Sequence, residues 1–156
     1  MNNEKRIWIF RVNDGENLRN SKYPFWGVKR GRNGCIKTMV TKIAHGDILC
    51  FMTSKLYGGK IIGMGEYTGY FDRMDEPLLQ INTKTNSEQN WKGDGCWDIQ
   101  IHYDNLYITE KQNITGCIQC SAIILDYEKF KDRINGDLYE HYKNFKFYAE
   151  PKIFLN

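Results

Sequence analysis

Tryptophan and asparagine are the residues of this 156-residue chain with the most specific chemistry to offer. A tryptophan face can stack a planar ring, and one base stacked on an aromatic side chain is worth about 1–3 kcal/mol. An asparagine amide both donates and accepts, so it can pair with the edge of a base. Trp8, Trp26, Trp91 and Trp97 supply the faces, and Asn13 and Asn17 follow closely on the first apolar run. Arg11, Lys29, Arg30 and Arg32 flank the same stretch, and such cations hold phosphates without reading sequence. Residues 1–60 carry 12 basic and 4 acidic side chains, against 10 and 15 in the remainder. That split fits one face turned toward a polyanion, and equally a chance clustering on a solvated surface.

Other chemistries find less support. Cys117-Ile118-Gln119-Cys120 is half of a zinc site, and a second close pair of cysteines or histidines is missing from the sequence. His45, His102 and His141 are scattered. Gly31-Arg32-Asn33-Gly34 and Gly58-Gly59 lack the spacing of a phosphate-binding loop and read as turns. No serine elbow and no framed pair of acids is present. The expectation is a protein without catalytic residues, metal or cofactor.

The length fits one domain, residues 1–156, and the 41% hydrophobic and 26% charged content is ordinary for a folded chain. The apolar runs are too short to cross a bilayer. Without an apolar leader, and with five cysteines, the chain reads as intracellular, cytoplasmic or nuclear, with reduced thiols. Asn113-Ile114-Thr115 matches a glycosylation acceptor that such a compartment would not use. Abundant Lys, Asn and Ile fit an AT-rich genome, viral or from a low-GC microbe.

The elements that must position these residues follow from periodicity. Ile7-Trp8-Ile9-Phe10 is apolar on both alternating faces, as in a strand buried on both sides. Asp14 is placed to cap a short helix that Pro24 stops, and Phe25-Trp26-Gly27-Val28 is a short extended segment. Ile36, Met39, Val40 and Ile43 have helical spacing. Residues 48–52 and 60–67 form a hairpin around Gly58-Gly59. Residues 73–92 are polar and aperiodic, a long loop. Cys96 to Tyr103 alternates as a strand. Residues 125–147 carry two helical stretches broken at Asn135-Gly136. The fold class expected is α/β (α+β): a single domain with a curved, barrel-like mixed sheet flanked by helices.

Several of these pieces occur in one order. Asn13-Asp14-Gly15-Glu16-Asn17-Leu18 after the first strand, then Trp26, is similar to the Asn-x-x-Glu-Asn-hydrophobic run and cage tryptophan of YTH domains. Gly46-Asp47-Ile48-Leu49-Cys50-Phe51 followed by Ile61-Ile62-Gly63-Met64-Gly65-Glu66 resembles EVE domains. Over about residues 6–108 the chain therefore resembles the YTH and EVE families of the PUA-like superfamily. It departs from YTH domains at Arg11-Val12, where they carry Lys-Ser, and at Gly27, where they carry Ser or Ala.

The resemblance implies a barrel-like sheet wrapped by helices. It also implies a reader of one modified base, N6-methyladenine in RNA first, and modified cytosine or adenine in DNA next. Trp26 would wall the base pocket and Trp91 would form a second wall. Asn13 and Asn17 would contact the base edge beside the Gly27 backbone. Tyr67, with Tyr70, would complete the cage. Arg11, Lys29, Arg30 and Arg32 would face the phosphates of a single strand of RNA or of a flipped base in DNA.

Each residue also has a plainer role open to it. Trp26 after Pro24 can plug the core, Asn13 and Asn17 can cap a helix, Tyr67 can pack within a strand, and Trp8 and Trp97 read as core. The competing functions are a general PUA-like RNA-binding module indifferent to modification, and a regulatory protein whose basic face meets an acidic partner.

Overall fold

The computed structural model describes residues 5–75, 84–93, 95–109, 123–134, 136–147 and 149–154. Strand β1 (Ile7–Arg11) lies inside the sheet, and its alternation serves two cores. Trp8 and Phe10 enter one apolar cluster with Leu49, Phe51 and Tyr103. Ile7 and Ile9 enter the other with Cys50, Leu125 and Phe145. Full burial of each such side chain contributes about 1.5–3 kcal/mol, which is why the run is apolar at every position. The strand buried on both faces is as expected from the sequence.

Helix α1 (Glu16–Asn20), strand β2 (Phe25–Val28) and helix α2 (Cys35–Thr41) lie between β1 and its parallel partner β3 (Ile48–Met52). Strand β3 turns through a single helical turn at Lys55–Tyr57 into the long β4 (Ile61–Asp72), the expected hairpin. Strand β5 (Ile99–Ile108) pairs antiparallel with both β4 and β2. Strand β6 (Ile124–Asp126) then pairs with β1, and helices α3 (Tyr127–Phe130) and α4 (Leu138–Phe145) follow. The short β7 (Glu150–Pro151) joins β5. The strand order is β2-β5-β4-β3-β1-β6, one curled sheet with helices about it. The mixed α+β class and barrel-like sheet expected from the sequence are what this chain adopts.

Local chemistry explains the joints. Asp126 and Asp137 cap α3 and α4, accepting the N–H of Glu128 at 3.1 Å and of Tyr139 at 3.0 Å. Asp47 is buried and accepts from the Arg6 N–H, the Ala44 N–H and the Trp8 indole at 3.0 Å. The Gly46-Asp47 pair is therefore a structural knot that ties the turn before β3 to β1. Among the described residues no helix is long and apolar enough to cross a membrane. Cys117, Cys120 and the glycosylation triplet lie outside the described residues.

Candidate functional site

Strand β2 ends the sheet on one side and β6 on the other. Trp26, Gly27 and Val28 of β2 nonetheless line the same cavity as Arg11 of β1 and Ile123 just ahead of β6. The sheet curls until its two ends face each other, and the seam encloses about 490 Å³. That size lies within the ~300–1,000 Å³ of small-ligand pockets.

Among the described residues, the edge of β2 away from β5 is covered over only part of its length. Gln89, fully buried, accepts the Tyr23 N–H at 2.6 Å and donates to the carbonyls of Tyr23 at 2.8 Å and Phe25 at 3.0 Å. A side chain thus stands in for a strand partner at Phe25. In the antiparallel ladder with β5, Pro24 faces its neighbour, since its carbonyl accepts the Tyr103 N–H. Alternation then turns the N–H and C=O of Gly27 toward the open edge, at the cavity wall.

Two indoles shape that wall. Trp26 lines the cavity while 8% exposed, its ring held edge-on by Phe51 and Trp91. Trp97 lies across Gly27: a Cβ there would stand 2.4 Å from Trp97 Cγ and Cδ1. Only glycine leaves room for the indole. Trp97 was expected to be a core residue of a strand starting at Cys96. The strand starts at Ile99 instead, so Trp97 precedes it and half-buries its ring in the cavity wall.

Trp91 was expected as the second wall, and it is not one. It is buried in the apolar cluster behind Trp26, centroids 5.2 Å apart, and its indole N–H donates to Ser21 Oγ at 2.8 Å. The polar loop around it is fastened to the core by this ring and by Gln89, while its charged residues stay outside. Tyr67 is also corrected. It is buried in β4, its N–H bonded to the Asp47 carbonyl, and it does not line the cavity. Burial, with the nearby Tyr70 and Asp47, pushes its phenol up to about 12. Tyr70 lies under the Lys37 ammonium, 4.8 Å from the ring centroid.

Both asparagines reach the cavity, and neither caps a helix. Gly15 is the cap residue of α1, and Asp14 accepts the Glu16 N–H at 3.0 Å in a local turn. Asn13 adopts φ 55°, a conformation that side chains other than Asn and Asp rarely take. Its amide has no hydrogen-bond partner among the described residues. Asn17 accepts the Lys92 N–H at 3.3 Å, which leaves its amide N–H₂ to donate.

The charges divide. Arg11, Lys29 and Lys92 line the cavity together with Asp14 and Glu16. Lys92 pairs with Glu16 at 2.6 Å, and Arg11 donates to the Thr53 carbonyl at 3.0 Å. Lys29 is exposed with no ion pair among the described residues. Arg30, expected on phosphate, is committed elsewhere: it meets Asp72 at 2.7 Å and Asp75 at 3.2 Å. Lys37 joins the same two carboxylates. Burial lowers the Lys37 pKa, but hydrogen bonds to Asp72 and Asp75 outweigh it and raise the ammonium above its ordinary range. Arg32 is exposed on the following turn and does not line the cavity. Lys92 is a cavity residue that the sequence does not single out, and Trp97, read there as core, also lines the cavity; its place between Gly95 and the strand at Ile99 was the available signal.

Among the described residues no cluster of three or more His, Cys, Asp or Glu could hold a metal ion. Comparison with protein-family models gives no match, and comparison with curated proteins gives none either.

Proposed function

We propose that this chain is a YTH/EVE-like, non-enzymatic reader that takes a single modified base of a nucleic acid into the seam cavity. The first substrate to test is N6-methyladenine in RNA, then modified cytosine or adenine in DNA. The observation that carries the reading is the meeting of Trp26, Trp97, Asn13, Asn17 and the Gly27 backbone around one cavity.

The chemistry runs in the order in which a base would enter. An unstacked base loses its neighbours, and the indole of Trp97 replaces one of them. A methyl group on the exocyclic amine is poorly hydrated and prefers an apolar wall, which Trp26, Val28 and Ile123 supply. The base edge offers donors and acceptors to the Asn13 amide, the Asn17 amide and the outward N–H and C=O of Gly27. Lys29 and Arg11 at the rim meet the flanking phosphates. No step requires proton transfer, so neither catalytic group nor cofactor enters the scheme. An intracellular site of action, cytoplasmic or nuclear, goes with such a ligand.

The test is fluorescence anisotropy with single strands that differ only in N6-methyladenine, or in a 5-modified cytosine. Tighter binding of a modified strand supports the reading. Equal binding to modified and unmodified RNA would instead favour a general RNA-binding module. No binding, or affinity indifferent to salt, would exclude nucleic acid.

A further inference from the structure

The turn that joins β3 to β4 presents two large apolar side chains to water: Leu56 is 84% exposed and Tyr57 46%. Its backbone is nevertheless firmly built. Tyr57, Gly58 and Gly59 donate to the carbonyls of Ser54, Lys55 and Ser54 at 2.8, 3.0 and 3.1 Å. Thr53 Oγ1 donates to the Tyr57 carbonyl and accepts the Lys60 N–H at 2.8 Å. A rigid tip that holds leucine in water contributes nothing to the core.

The root of the tip is fastened to the cavity. Ser54 N–H donates to the Asn13 carbonyl at 2.8 Å, and the Thr53 carbonyl accepts from Arg11. Glu16 holds the Lys92 ammonium above its ordinary range by hydrogen bond and charge, and the Tyr57 phenol adds a smaller contribution. Lys55 and Lys60, exposed and without ion pairs among the described residues, bracket the apolar pair. An apolar point between cations, beside a cavity for a flat ring, is the shape needed to part stacked bases along a phosphate backbone.

Resting on the reading above, we propose that Leu56 and Tyr57 form a wedge that enters a duplex and fills the gap left by the base drawn into the seam cavity. The substrate is then a modified base within double-stranded nucleic acid, with the wedge offsetting the unstacking that extrusion requires. Lys55 and Lys60 track the phosphates on either side of the opened step.

The experiment compares the wild type with the Leu56→Ser, Tyr57→Ser double variant on two DNA probes. One is a short duplex with a single N6-methyladenine; the other is the modified strand alone. A 2-aminopurine next to the modified base reports unstacking by a rise in fluorescence. Both side chains point to solvent, so melting of the double variant should match the wild type. The expected result is a loss of at least about tenfold in duplex affinity and of the 2-aminopurine signal, with single-strand affinity unchanged. Equal loss on both probes, or none on the duplex, would overturn the wedge. Wild-type binding to the strand but not the duplex would overturn it while leaving the base-reading cavity intact. Binding to neither probe, nor to their RNA counterparts, would remove both proposals. Tip-dependent binding to phosphatidylserine vesicles, with nucleic acid unaffected, would make the tip a membrane element and overturn the wedge.

Discussion

Trp97 lies on Gly27 so closely that the Cβ of any other residue would come within 2.4 Å of the indole. The contact joins the segment before β5 to the edge strand β2, and Trp97 lines the cavity as well. Gly27→Ala should therefore push Trp97 out of place. Overpacking of this kind costs about 1–3 kcal/mol. Thermal melting should show the loss, and tryptophan fluorescence should shift as the indole moves.

The three tryptophans around β2 should respond differently to truncation. Trp91→Ala empties a buried site and removes the indole N–H that Ser21 Oγ accepts, so it should destabilise by about 3–5 kcal/mol, although the Ser21 hydroxyl still donates to the Asn17 carbonyl at 2.7 Å. Trp97→Ala removes a partly buried ring that packs on the core cluster; it should cost less stability than Trp91→Ala, while affinity for a modified strand falls by about 1–3 kcal/mol. Trp26→Ala should do both, because its ring is core on one side and cavity wall on the other. Parallel melting and binding curves on the three variants check this ordering.

Lys29→Glu and Arg30→Glu, adjacent in sequence, should separate as well. Lys29→Glu should weaken modified and unmodified strands alike and make the salt dependence shallower by about one unit of slope. Arg30→Glu removes a partner of the buried Asp72 carboxylate and adds a third acid beside Asp75. Its main effect should be on stability, read as a lower urea midpoint. Salt titrations of binding and urea unfolding distinguish the two.

Burial beside Phe25 lowers the His102 pKa from its ordinary 6.5. Below that pH the unfolded chain takes up a proton that folded His102 resists. Stability should therefore fall as pH drops from 6.5 toward the folded value, and no further on this account beneath it. His102→Gln should flatten that part of the profile in urea unfolding at pH values on either side.

The strands and both cores were legible because their signals are local. Ile7 to Phe10 is apolar at every position, and residues 48–52 and 60–67 bracket a glycine pair. Arg11, Asn13, Asn17, Trp26, Gly27 and Lys29 are cavity residues and fall in one short stretch, from the end of β1 through α1 to just past β2. Trp91 was misread because its neighbours are polar; a loop fastened by one indole and one glutamine looks the same in sequence as a free one. Tyr67 and Arg30 were misread because their partners, Asp47 and Asp72, are set by sheet register across 20 and more positions. The strand expected from Cys96 starts at Ile99, so Trp97 precedes it, and its ring both packs against the core cluster and lines the cavity.

Strand β1 lies between β3 and β6, so its last partner is residues 124–126. During synthesis the chain therefore carries its most apolar segment unfinished for over a hundred residues. Until β6 and the helices after it emerge, one edge of β1 and the Ile7–Ile9 face have no cover from Leu125, Leu138 or Phe145. Such long-range pairing makes folding slow and late, and a nascent chain stalled before β6 would offer an open strand edge to a chaperone or to another copy of itself.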